Sequence, residues 1–150
     1  VSAWRKALEL NLTAPFQLTQ LLEPLLSRGD GPSIVNIGSM YGSIGPDWSL
    51  YEGLDMSNPA AYAASKGGLI QLTRWLASTL APGIRVNMVS PGGISRGQDA
   101  TFVERYSRKT PLARMATEQD VVGQVAFLLS PAGRYITGQN VIIDGGIGIV

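Results

Sequence analysis

The segment NPAAYAASKGG, Asn58 to Gly68, sets a phenol and an ammonium four residues apart among alanine, serine and glycine. On a helix, positions i and i+4 share a face one turn apart, so Tyr62 and Lys66 would stand side by side. A free phenol has a pKa of about 10, too high for a base at neutral pH, and a nearby ammonium favours the phenolate. Such a pair suits the transfer of a proton to or from an alcohol or carbonyl oxygen. The small neighbours, Ala63, Ala64, Ser65, Gly67 and Gly68 among them, leave room for a flat cofactor and a partner helix to come close. A plainer reading fits the same residues: Tyr62 packs at a helix start and Lys66 is a solvated surface charge. The bare spacing does not choose between them.

Other chemistry is narrowed by composition. The 150 residues include no cysteine and no histidine, so thiolate catalysis and disulfides are excluded, few metal ligands are available and no metal site is expected. Twelve basic against eleven acidic residues, without a basic block, argue against a nucleic-acid partner or an anionic membrane surface. A hydrophobic fraction of 45% with 15% charged residues is enough for a real core. Apolar runs fall short of the roughly 18 residues that span a bilayer, and the chain opens without a signal-peptide pattern; the expected location is cytoplasmic.

The elements that must position the pair follow from periodicity. Residues 2 to 28 carry leucines at helical spacing, with Ser2 as a candidate cap and Pro15 expected to bend or break the helix near Asn11 and Leu12. SIVNIGS reads as a buried strand, and the Gly-, Ser- and aromatic-rich stretch from Met40 to Ser57 reads as a loop. Asn58 and Pro59 offer an N-cap and first helical position for a helix through Leu69, Leu72, Leu76 and Leu80. GIRVNMVSPGG is a second strand, 99 to 108 a short helix, 117 to 130 a clearer helix capped by Thr117, and GQNVIIDGG a last strand. This alternation predicts an α/β fold: a parallel sheet covered by helices on both faces, within one unit over residues 1–150. Ligands of such sheets bind beyond the carboxyl ends of the strands, which selects Gly38-Ser39-Met40 and Ser90-Pro91-Gly92-Gly93-Ile94. Three strands make a narrow sheet, and the chain starts abruptly at a helix, so further strands are expected before Val1.

Taken in order, ELNLTAPFQLTQ, IVNIGSMYG, YAASK, RVNMVSPGGI and YITGQNVIIDGG resemble the motifs of the short-chain dehydrogenase/reductase family across the whole chain. The resemblance implies the C-terminal, catalytic part of a Rossmann-like doubly wound domain that uses NAD or NADP. It implies that Tyr62 exchanges a proton with the substrate oxygen and that Ser39 hydrogen-bonds that oxygen. Lys66 would hold the nicotinamide ribose and lower the Tyr62 pKa, and Asn11 would hold a water linking Lys66 to solvent. Pro91, Gly92, Gly93 and Ile94 match the turn beside the nicotinamide. It further implies a small-molecule alcohol or ketone substrate and assembly as a homodimer or homotetramer. Plainer roles stand beside these: Ser39 capping a turn, Asn11 satisfying backbone at the bend, Pro91-Gly92 ending a strand.

Three departures qualify the resemblance. The family's glycine-rich first turn is absent, and its short branch runs to about 250 residues, which implies that roughly 100 precede Val1. The stretch between Ser39 and Tyr62 is longer than usual and carries Asp47, Trp48, Tyr51, Glu52 and Asp55, expected either to cover a polar, hydroxyl-bearing substrate such as a sugar or sugar nucleotide or to be a solvated insertion. Arg96 stands where the family often has threonine. The alternatives to an alcohol oxidoreductase are an inactive fragment or cofactor-sensing interaction protein, and a sugar-nucleotide epimerase or dehydratase of the family's extended branch. The short tail after DGG argues against the last.

Overall fold

A computed structural model describes residues 1–150. Helix α1 spans Ser2–Leu8 and α2 spans Ala14–Leu26, joined by one π-helical turn, Glu9–Thr13. Pro15 has no N–H to offer the carbonyl of Asn11, and Ala14 N–H instead reaches back five residues to Glu9 O, widening the helix at the position where a break is expected. Ser2 lies inside the helix and supplies no cap.

Strands β1 (Ser33–Ile37), β2 (Arg85–Pro91) and β3 (Asn140–Ile143) form one parallel sheet in the order β1-β2-β3. Ser33 pairs with Arg85 through to Ile37 with Val89, and Met88 with Asn140 through to Pro91 with Ile143. Helix α3 (Ala60–Thr79) packs on one face, where Val86 meets Leu76 and Ala77 and Met88 meets Leu69 and Ile70. Helix α5 (Gln119–Leu129) covers the opposite face, where Val89 meets Val121 and Leu128. Strand β2 is buried on both sides because the pleat alternates Met88 and Val89 between the two helix layers. No helix is long and apolar enough to cross a membrane.

Buried polar pairs lock the layers. Asn36 of β1 donates its amide to Thr73 Oγ1 of α3 at 2.9 Å, and Thr73 donates to Leu69 O at 2.8 Å. On β2, Asn87 donates to Ile136 O at 2.8 Å and accepts Gln139 N–H at 3.0 Å, fixing the approach to β3.

Two further caps differ from expectation. Helix α3 begins one residue late, after Pro59, and Asn58 is buried against Tyr41 without forming a cap. Helix α5 starts at Gln119, where the carboxylate of Asp120 accepts both the N–H and the hydroxyl of Thr117 at 2.7 and 2.9 Å. The acidic residue thus reaches back to the turn, the reverse of a Thr117 cap.

The loop expected from Met40 to Ser57 contains two 3₁₀ turns, Met40–Gly42 and Trp48–Leu50, started by the side chains of Ser39 and Asp47. It is anchored: Leu50 is buried with Phe102 and Tyr106 of helix α4 (Ala100–Lys109). Asp47 pairs with Lys109, and Arg105 donates to Glu52 O at 2.6 Å.

Candidate active site

Helix α3 crosses the sheet so that its first turns lie at the carboxyl end of β1. The contact that sets this is Lys66, whose ammonium donates to Ile37 O, the last carbonyl of β1, at 2.9 Å. The same ammonium lies 5.7 Å from the centroid of the Tyr62 ring, within cation–π range. Both side chains are half-buried. Burial pulls the Lys66 pKa below the ordinary lysine value because a charged amine loses hydration there.

Ser39 follows β1 and is 7% exposed. Its Oγ accepts Tyr41 N–H at 3.2 Å, so the turn-capping role is present and the hydroxyl proton is left to donate elsewhere. The next turn lies against α3 so closely that a Cβ on Gly42 would come within 2.8 Å of the Lys66 backbone. Glycine at 42 therefore sets how near the Ser39 segment stands to the Tyr62–Lys66 helix.

Asn11 projects from the π-helical turn and donates its amide to Ser65 Oγ at 3.1 Å; Ser65, wholly buried, donates in turn to Tyr62 O at 2.8 Å. The asparagine thus reaches the Tyr62 backbone through Ser65. Ser65 was not singled out by sequence reasoning, although a small polar residue three positions after Tyr62 was the available signal. The small residues around the pair admit other parts of the protein: a Cβ on Gly68 would stand 3.0 Å from the Leu12 side chain.

The turn after β2 is held on several sides. Gly92 N–H donates to Ile143 O at 2.8 Å, and Gly93 N–H donates to the Tyr106 hydroxyl at 2.6 Å. Gly93 O accepts Ala116 N–H at 2.9 Å, which places Ile94 beside Ala116 in an isolated bridge. Added Cβ atoms would strike the Tyr106 hydroxyl and Asp144 from Gly92, and Met115 and Tyr106 from Gly93, all below 3.0 Å at closest approach. Both glycines are therefore required by protein packing. Tyr106 is the second residue missed from sequence; its signal was the aromatic i, i+4 pair Phe102–Tyr106 on an otherwise polar helix.

Around the insertion, the Tyr51 hydroxyl lies 2.8 Å from that of Tyr41, and its ring contacts Phe102 at 5.3 Å between centroids. Asp47 is engaged by Lys109 and Ser49. Trp48, Glu52 and Asp55 stay exposed. Arg96 forms an exposed ion pair with Glu118 at 2.9 Å.

A parallel sheet sandwiched by helices, with functional candidates gathered at its carboxyl edge, defines a Rossmann-like α/β protein. The family model described as Enoyl-(Acyl carrier protein) reductase matches residues 1–148. The chain belongs to the short-chain dehydrogenase/reductase family. It is 39% identical over 150 residues to a 7alpha-hydroxysteroid dehydrogenase of Bacteroides fragilis, covering 96% of this chain and 54% of that protein. A short-chain dehydrogenase from Leptospira borgpetersenii, solved with bound NAD+, superposes with a TM-score of 0.89 at 41% identity, over 97% of this chain and 56% of the other. The RhlG/NADP active-site complex of Pseudomonas aeruginosa gives 0.85 at 32% identity, over 99% and 59%. The chain spans about half the length of the relatives it matches.

Proposed function

We propose that this chain is the catalytic part of an NAD(P)-binding domain that oxidises a secondary alcohol, or reduces the matching ketone, with Tyr62 as the proton-transfer group. The observation that carries this reading is the Lys66 ammonium held at the end of β1 and over the Tyr62 ring. The donor set suits the nicotinamide-ribose half of the cofactor. Lys66 donates one N–H to Ile37 O and has two more for ribose hydroxyls. At the β2 turn both glycine N–H groups are engaged within the protein and Gln98 Nε2 donates to Ile94 O at 2.7 Å, which leaves the Ile94 N–H as the backbone group for a carboxamide.

When bound, the nicotinamide ring supplies or accepts the hydride, which no side chain can do. The chain's own residues handle the oxygen. Ser39, with Oγ fixed by Tyr41 N–H, donates its hydroxyl proton to the carbonyl oxygen and orients it. Tyr62 gives that oxygen a proton in reduction and takes it back in oxidation. Asn11 acts through Ser65 on the Tyr62 backbone, holding the helix turn in place. The substrate is a small molecule, with the exposed Trp48, Glu52 and Asp55 of the insertion favouring a hydroxyl-bearing one such as a sugar.

The test is Tyr62→Phe in the full-length protein, assayed with NAD and NADP against a panel of secondary alcohols that includes sugars. Turnover is expected to fall by at least a hundredfold, on the scale of a lost general acid–base group, while nucleotide affinity changes little. Near-normal turnover would sink the mechanism, and activity confined to apolar alcohols would remove the sugar reading. A second reading is a catalytically silent nucleotide-sensing protein. Firm nucleotide binding with no turnover on the panel would select it.

A further inference from the structure

We infer that Tyr106 is a positioning residue that braces the two strand-end segments of the site, tying the Ser39-Met40 segment to the Gly92-Gly93 turn; this rests on the oxidoreductase reading above. Its hydroxyl accepts Gly93 N–H at 2.6 Å and donates to Met40 Sδ at 3.6 Å. One phenol therefore bonds the residue after the oxygen-binding serine candidate and the turn proposed to meet the nicotinamide. The side chain is 1% exposed, so neither bond is shared with solvent. Burial pushes the Tyr106 pKa above the ordinary tyrosine value, and the phenol keeps the proton that it donates.

The packing is as specific as the bonding. Gly93 lies flat on the Tyr106 ring, where its own Cβ would stand 2.9 Å from the phenol carbon Cζ, and a Cβ on Gly92 would stand 2.7 Å from the hydroxyl. Tyr106 also continues an aromatic chain: its ring is 5.9 Å from Phe102, Phe102 is 5.3 Å from Tyr51, and Tyr51 is 5.9 Å from Trp48. The insertion after Ser39 thus reaches the nicotinamide turn through helix α4.

Tyr106→Phe removes only the hydroxyl and keeps the ring in the cluster. Two readouts test the brace. Without cofactor, amide hydrogen exchange at Gly93 is expected to speed up at least tenfold, while the β2 amides upstream keep wild-type protection. With cofactor, nicotinamide nucleotide affinity is expected to weaken by about threefold to tenfold, the loss typical of one hydrogen bond in a buried site. Phe102→Leu serves as the packing control: it thins the same cluster without touching Gly93, and is expected to lower stability while leaving nucleotide affinity unchanged. Unchanged Gly93 exchange in Tyr106→Phe overturns the proposal, as does equal loss of affinity in the two variants. Failure of the wild-type full-length protein to bind either nucleotide overturns the oxidoreductase reading instead, and the Gly93 exchange result still decides whether Tyr106 holds the turn.

Discussion

At the scale of single residues, Lys66 sets the cost in stability of its proposed role. Its ammonium is partly stripped of water to reach Ile37 O and the Tyr62 ring, and burial lowers its pKa. Just below the ordinary lysine value of about 10.4, the unfolded chain holds this proton while the folded chain releases it. Stability contributed by Lys66 therefore rises with pH through that window and is lost as pH falls through the lowered, folded-state pKa. The difference in unfolding free energy between wild type and Lys66→Met, measured by urea denaturation at a series of pH values from neutral upward, is expected to rise as the ordinary lysine value is approached. A difference that does not vary with pH would mean that the ammonium is no more costly in the fold than outside it. Tyr62 and Lys66 were legible in the sequence because helical spacing alone sets them on one face. Ser65 and Tyr106 were not, since their importance lies in partners 54 and 13 positions away.

At the scale of elements, α3 is the part on which the site depends, and its placement is decided by a few contacts. Gly42 lets the turn after Ser39 lie against the Lys66 backbone, Gly68 admits Leu12, and Thr73 accepts the Asn36 amide of β1. Thr73 is 1% exposed, so its hydroxyl has no solvent to replace a lost partner. Thr73→Val keeps the shape of the side chain but strands the Asn36 donor, and is expected to cost about 1–3 kcal/mol. Chemical denaturation checks this; a loss below about 0.5 kcal/mol would mean that Asn36 finds another acceptor. The π-helical turn shows how far sequence reaches at this scale. Pro15 announced a disruption near Asn11, but whether the helix would kink, break or widen depended on α3 lying alongside to receive Asn11 through Ser65.

At the scale of the whole molecule, the notable feature is an unevenly covered sheet. Strand β1 is an edge with Ile37 49% exposed, and α2 presents Leu18, Leu21 and Leu25 at 57%, 78% and 64% exposure. Leu18, Leu21 and Ile37, together with Ile34 and Leu10, line an apolar cleft of about 630 Å³. Open parallel edges and continuous apolar faces associate with other surfaces. The 150-residue chain by itself is expected to self-associate at micromolar concentration, read by sedimentation velocity, and Leu21→Lys is expected to reduce it. A chain that stays monomeric at all concentrations would show that this face is tolerated by water.

The α/β alternation and the three strands were legible from periodicity and Tyr62 and Lys66 from helical spacing, whereas Ser39 and the Pro91 to Ile94 turn became candidates through their places at strand ends and the motifs they resemble. The sequence also placed the insertion before α3, though not its anchoring on α4. Tertiary structure alone decided the helix caps, the Asn11–Ser65–Tyr62 link, and the reason for the paired glycines. Gly92 and Gly93, matched by resemblance to a turn beside the nicotinamide, pack against Tyr106, Met115 and Asp144. The physical reason is the same in each case: a hydrogen bond or a steric limit between segments far apart in the chain leaves no periodic mark in either segment, and exists only once the sheet has brought them together.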